Sequence, residues 1–245
     1  MPELFDVFPQ LESPTLVIRK MTENDVEALS LITENENVYR YVPPFLYKKS
    51  RGNLLVAIRN LGGRDFEKKK LIIAGIYLPT EPDTLIGLAE MFDYKKKRGQ
   101  ITIGYRLNES YWHRGIATGV IALLIEYLTK DIGIPTIKAF VMPENIYSSK
   151  ALLCNGFKKE EKMTTGESWG GRESVKLEEY TYWKSKIEVY RDKERTIAEG
   201  RRGEKGNDFI FTRMYGSRKN NSSKLFARRG TLYKYKLRNK CRCCE

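Results

Sequence analysis

With 245 residues, 41% of them hydrophobic, the chain is long enough for one domain plus an appendage or for two small domains, and apolar enough to bury a core. No apolar run reaches the roughly eighteen residues of a membrane span, and Met1-Pro-Glu-Leu-Phe-Asp lacks a basic stretch leading into an apolar one, so the expectation is a cytoplasmic protein without signal peptide or spanning helix. The net charge of +13 is not spread over the chain: residues 189–245 hold 17 Lys/Arg against 6 Asp/Glu, while residues 1–188 hold 27 against 25, which excludes a uniformly basic nucleic-acid binder.

Residues 1–13 read as a loose lead-in ending at Ser13-Pro14, and Thr15–Lys20 alternates apolar and polar residues as a strand does. Thr22-Glu-Asn-Asp25 has the form of a capping box, opening a helix to about Glu34 with Val26, Leu29, Leu31 and Ile32 facing inward. Pro43-Pro44 breaks the next segment, and a second helix spans Arg51–Asn60 before Leu61-Gly62-Gly63 ends it. Strands follow at Lys70–Tyr77, Thr84–Phe92 and Gln100–Leu107, joined by a turn at Pro79–Asp83 and a solvated tip at Lys95–Gly99. An apolar helix covers Val120–Leu128 and a strand Thr136–Val141. Asn145 reads as an N-cap, Asn155-Gly156 as a helix C-terminus with glycine left-handed, and Cys154 falls in the buried register between them. Two last strands lie near Lys158–Met163 and Glu173–Trp183, with Gly166–Arg172 turning between them. Interleaved strands and helices of this kind give an α/β chain with a mixed sheet covered by helices.

The stretch Tyr111-Trp-His-Arg-Gly-Ile-Ala-Thr118 joins a strand to a helix through small residues. The first amides of that helix have no intrahelical partner, and the helix dipole places roughly half a positive charge there, so a phosphate or pyrophosphate is a natural guest. With one glycine and no following Lys-Ser/Thr pair the turn is neither a dinucleotide fingerprint nor a Walker loop, and an ordinary tight connection is its plainer reading.

Four pieces in order raise that reading: Ile103-Gly-Tyr105, Tyr111-Trp112 with Arg114-Gly-Ile-Ala-Thr118, Asn145-x-x-Ser148, and Gly156-Phe157. Over residues 14 to 184 the chain resembles the GCN5-related N-acetyltransferase (GNAT) superfamily, most nearly the branch holding RimJ/RimL-type ribosomal-protein N-terminal acetyltransferases, spermidine acetyltransferases and some antibiotic acetyltransferases. The resemblance implies an acyl-CoA N-acyltransferase fold over residues 14–188, acetyl-CoA as co-substrate without a metal, and a primary amine as acceptor, attacked directly in a ternary complex. It places the pyrophosphate on Arg114, Gly115, Ile116, Ala117 and Thr118. The pantetheine arm falls to the backbone of Tyr105 to Leu107, on a strand that splays from its neighbour, and to Asn145 on the other side. A hairpin-mediated homodimer is compatible with it, as is a monomer.

The family's proton-handling residues are only partly present. Leu152 stands where many relatives carry a tyrosine, while Ser148 matches the hydroxyl that serves as thiolate acid in the RimJ/RimL branch, with Tyr147 a lesser candidate. Thr102 and Gly119 stand where relatives carry glutamates, leaving Glu90, on the face of Leu88 and Phe92, as the leading local base. A weak base suits an α-amine (ordinary pKa about 7.7–8.0) better than a Lys-type amine (about 10.4).

Residues 189–245 are basic, Gly-rich and short of apolar residues, a composition that does not offset its ordering entropy. Lys and Arg interleave there with Phe209, Phe211, Tyr215, Phe226, Tyr233 and Tyr235, which suits weak RNA or ribosome contact, though a solvated extension is the plainer reading. Cys241, Cys243 and Cys244 crowd the end too closely to form a tetrahedral site. A non-catalytic acetyl-CoA-binding module is the alternative to an enzyme, motivated by the two replaced glutamates.

Overall fold

A computed structural model describes residues 2–43, 51–166, 174–184 and 232–234. Met1–Trp183 and Gly230–Glu245 form one unit, and of the second, Lys184–Arg229, only Lys184 is described. The strands are β1 (Gln10–Glu12), β2 (Val17–Arg19), β3 (Leu71–Tyr77), β4 (Gly87–Lys95), β5 (Gln100–Leu107), β6 (Thr136–Val141), β7 (Lys158–Gly166), β8 (Val175–Trp183) and β9 (Leu232–Lys234). The helices are α1 (Val26–Glu34), α2 (Arg51–Leu61), α3 (Arg64–Glu67), α4 (Ile116–Glu126), whose last turn widens to a π-helix over Tyr127–Asp131, and α5 (Ile146–Cys154).

All the strands join one sheet in the order β7-β8-β6-β5-β4-β3-β2-β1-β9. Its ladders are antiparallel except β5–β6, joined by the α4 crossover, and β1–β9. Strand alternation divides the side chains between two cores. Ile72, Ala74, Ile76, Met91, Ile101, Ile103 and Ile137 pack with Ile116, Val120, Leu124 and Leu152 of α4 and α5. Tyr77, Leu85 and Leu88 on the opposite face pack with Val26, Leu29, Ile32, Leu54 and Ile58 of α1 and α2.

The capping box at Thr22 forms, with the Thr22 amide donating to Asp25 Oδ2 at 2.7 Å, and a backbone bond from the Asp25 amide to the Thr22 carbonyl at 3.0 Å closes the same turn. Asp25 is buried, and its Oδ2 also accepts the Tyr77 hydroxyl at 2.9 Å, which ties the start of α1 to β3. Burial first, and the Asp25 carboxylate beside it, push the Tyr77 phenol well above its ordinary value.

Several expectations need correction. The lead-in belongs to the fold: β1 pairs with β2, Leu4 and Leu11 are fully buried, and Ser13 makes the turn between the two strands, its Oγ accepting the Leu16 amide at 3.0 Å. Three residues with one apolar side chain carry too little alternation to announce a strand. Residues 232–234 of the basic segment form β9 beside β1; the rest of the segment after 189, Cys241, Cys243 and Cys244 included, lies outside the described residues. Most of the turn expected at 166–172 lies outside them too. Leu31 is 64% exposed, because the buried stripe of α1 runs through positions 26, 29, 32 and 33. Cys154 is half-buried, two positions past the inward pair Ala151 and Leu152.

Candidate active site

The sheet opens where β5 leaves β6. The two strands pair only from Gln100 with Thr136 to Thr102 with Lys138. Beyond that point β5 stays on β4 as far as Leu107, and β6 stays on β8 as far as Val141. The result is a wedge-shaped opening, one wall of which is the β5 edge from Ile103 onward, where among the described residues β5 no longer pairs with β6.

At the C-terminal end of β5 the chain turns into α4. Gly115 takes φ +73°, a left-handed conformation that favours glycine, and nothing lies within 4 Å of where its Cβ would stand. The first helical bond runs from the Gly119 amide to the Gly115 carbonyl at 3.1 Å, and Gly115 brings no side-chain cap. The amides of Ile116, Ala117 and Thr118 therefore face outward with the helix dipole behind them. Trp112 Nε1 donates to the Leu107 carbonyl at 2.9 Å, fastening the turn to β5. Two contacts fasten it to α5: the His113 and Tyr147 rings meet edge-on at 4.6 Å, and Asn155 Nδ2 donates to the Thr118 carbonyl at 3.1 Å. Arg114 is exposed, its guanidinium 5.0 Å from the Tyr111 ring centre.

The start of α5 lies against β5 on this face. Asn145 caps the helix, its Oδ1 accepting the Ser148 amide at 3.2 Å. The Ser148 Oγ lies 2.9 Å from the Tyr105 hydroxyl. Burial pushes the Tyr105 phenol above its ordinary value, and the bond with Ser148 only partly offsets this.

Glu90 and Arg106 sit on the other face of the sheet. Arg106 Nε donates to Glu90 Oε1 at 2.6 Å, with both side chains largely buried. Arg106 Nη1 donates to the Pro43 carbonyl at 3.2 Å, and the guanidinium lies 5.6 Å from the Tyr39 ring centre. Burial works against the Arg106 charge, but Glu90 outweighs it and holds the guanidinium above its ordinary value. Further along the same face Lys138 pairs with Glu179. That pair helps line an open hollow of about 430 Å³ over the end of the sheet where β5 and β6 are still joined, with Gln100, Glu160, Thr181 and Trp183 also in its lining.

A family model described as an acetyltransferase (GNAT) domain matches residues 15–158, more than half of the chain. The chain belongs to this GNAT family. It is 29% identical over 154 residues to the uncharacterized N-acetyltransferase YoaA of Bacillus subtilis (strain 168), covering 63% of this chain and 85% of YoaA. In fold it matches a GNAT-family acetyltransferase from Bacillus anthracis with a TM-score of 0.59 at 21% identity, over 71% of this chain and 98% of the other. It also matches RimL, a ribosomal L7/L12 alpha-N-protein acetyltransferase solved in complex with coenzyme A, with a TM-score of 0.61 at 17% identity, over 73% and 98%.

Within this GNAT domain the expected residues take distinct places. Gly115, Ile116, Ala117 and Thr118 form the amide turn, Arg114 flanks it, and Asn145, Ser148 and Tyr105 meet beside the slot. Tyr147 is 62% exposed with its ring on His113. The Leu107 carbonyl is engaged by Trp112. Glu90 lies on the face of Leu88, as alternation predicts, but it is an ion-paired carboxylate and not a lone desolvated one. Sequence reasoning missed Arg106, His113 and Asn155 as working residues, and the side chain of Tyr105. No local signal marks them, since each acts on a residue distant in sequence. Among the described residues no group of three or more His, Cys, Asp or Glu is placed to hold a metal, and no helix is long and apolar enough to cross a membrane.

Proposed function

We propose that this GNAT domain transfers the acetyl group of acetyl-CoA to a protein N-terminal α-amine, or to a small-molecule amine of similarly low pKa, by direct attack in a ternary complex. The observation that carries this is the splay of β5 from β6 directly before an uncapped helix start: a slot for an extended arm ending at an amide cluster for its phosphates. The amides of Ile116, Ala117 and Thr118 hold the pyrophosphate, with Arg114 adding charge. The β5 backbone at Tyr105 and Leu107 and the helix start at Asn145 hold the pantetheine from either side. A free β5 amide in the slot stabilises the oxyanion as nitrogen attacks the thioester carbon, and Ser148 faces the departing sulfur as acid, with Tyr147 farther off.

Charge supports the acceptor class. Glu90 and Glu179, carboxylates of the α1–α2 face on β4 and β8, are each paired, with Arg106 and Lys138. Neither is free to serve as a strong base or to attract a polyamine. An amine that is already substantially neutral at working pH passes its proton to water, which favours an α-amine. Glu90 then assists through its second oxygen or holds Arg106 in place.

The test is calorimetric titration with acetyl-CoA, followed by a thiol-release assay on three acceptors: a peptide with a free α-amine and no lysine, an Nα-blocked peptide with one lysine, and spermidine. Micromolar binding with release on the first acceptor alone is expected. Preference for the second or third would overturn the acceptor assignment, and binding without release on any amine would make the domain a non-catalytic coenzyme binder.

A further inference from the structure

α5 brings little hydroxyl chemistry to the slot on its own. Leu152, one turn beyond Ser148, is 1% exposed and points into the core, and Tyr147 is spent on His113 at the surface. The phenol that reaches Ser148 comes from β5, the strand that walls the slot: Tyr105 Oη, at 2.9 Å. Resting on the acetyltransferase reading above, the geometry points to Tyr105 as the positioning residue for proton delivery, its hydroxyl donating to Ser148 Oγ so that the serine's own proton is presented to the departing thiolate.

Chemistry selects the direction of that hydrogen bond. A phenol is a far stronger acid than an aliphatic alcohol and is the preferred donor between the two, while a hydroxyl has one proton to give and two lone pairs to accept with. With Tyr105 donating, the Ser148 proton is free for a third atom. The Asn145 cap on the Ser148 amide fixes the backbone of that first turn, so the pair is held from both sides before any ligand arrives. As nitrogen attacks, the N–C bond forms and the C–S bond breaks. The sulfur takes the Ser148 proton, the Tyr105 proton moves to Ser148, and water returns one to Tyr105, matching the proton the amine gives to water. The net change is amine plus thioester to amide plus thiol. A phenol kept neutral by burial resets after each turnover.

The pair is tested by Tyr105→Phe, Ser148→Ala and the double variant, with kcat, KM for acetyl-CoA and the calorimetric Kd of the coenzyme measured for each. Tyr105→Phe should lower kcat about tenfold and Ser148→Ala about a hundredfold, fractions of the range general acids contribute. Coenzyme Kd should stay within about twofold, and the double variant should be no slower than Ser148→Ala, because the two groups act as one unit. A Tyr105→Phe kcat equal to the parent's, losses that multiply in the double variant, or a fall in coenzyme affinity that accounts for the fall in rate would each overturn the assignment. A second measurement needs no variant: single-turnover rates of the unaltered protein in mixtures of light and heavy water should curve, as two protons in flight require, and a straight line would overturn the relay. An unaltered protein that binds no acetyl-CoA or releases no thiol would instead overturn the acetyltransferase reading itself.

Discussion

The face of the sheet that carries α4 and α5 and the face that carries α1 and α2 meet at the same slot, yet they are built from different materials. On the α4–α5 face the working groups are mostly backbone: the amides of Ile116, Ala117 and Thr118, the left-handed Gly115, and the open edge of β5. Side chains such as Trp112 and Asn155 hold that backbone in place. On the α1–α2 face the working groups are side chains that meet across strands and helices: Arg106 with Glu90, Lys138 with Glu179, and Tyr77 with Asp25. A site made of backbone tolerates side-chain replacement and fails when the main chain is forced to another conformation. A site made of buried polar pairs fails when one partner is removed.

The largest expected effect belongs to the second kind. Arg106→Ala strands Glu90 without its partner in a largely buried position and should cost about 3–5 kcal/mol of folding stability, read from urea unfolding. Acetyl-CoA affinity of the fraction that remains folded should be unchanged, because the pair lies on the face away from the amide turn. A comparable loss of coenzyme affinity would show that the two faces are not separable. The converse break is Gly115→Val. At φ +73° a β-branched residue is strained by roughly 1–3 kcal/mol whatever the space around it, and the strain falls on the amides proposed to bind phosphate. Coenzyme Kd should rise about tenfold or more by calorimetry while the urea midpoint shifts far less than in Arg106→Ala.

The same contrast explains what could be read in the sequence. The Asn145 cap, the Gly115 turn, Gly156 at φ +83° and the bounds of β5 and β6 are local matters, settled by a few adjacent residues, and they stand where the sequence places them. Tyr105 meets Ser148 over 43 positions, Asn155 meets the Thr118 carbonyl over 37, and Arg106 meets Glu90 over 16. Only strand register and helix docking bring these together, and neither is written in any window of the sequence. Glu90 shows how far alternation goes: it gives the correct face and says nothing of the guanidinium waiting there. The short strands near the chain ends are silent in the sequence for a related reason. β1 and β9 are three residues each and hold their places through a neighbouring strand, so their own sequence carries almost no periodic signal.

A smaller effect, on the side-chain-built face alone, is expected from Tyr77→Phe. The hydroxyl donates to buried Asp25 at 2.9 Å, and removing it leaves the capping box of α1 in place but frees the helix start from β3. The cost at neutral pH should be about 1–3 kcal/mol, since the carboxylate loses one buried partner. The sign of its pH dependence is fixed by the folded phenol lying above its ordinary value. The native state holds the proton more tightly than the unfolded chain, so the contribution is fully present below about pH 10, where an unfolded tyrosine ionises, and is lost as pH rises beyond it. Parent and variant should therefore differ most at neutral pH and converge in strongly alkaline solution, measured as urea midpoints at a series of pH values. A gap that stays constant through the alkaline range would mean that the hydroxyl acts through shape and not through its proton. On the proposed reading, with the amine approaching from the α1–α2 face, the variant should raise KM for the amine and leave KM for acetyl-CoA where it was, the opposite of what Gly115→Val does.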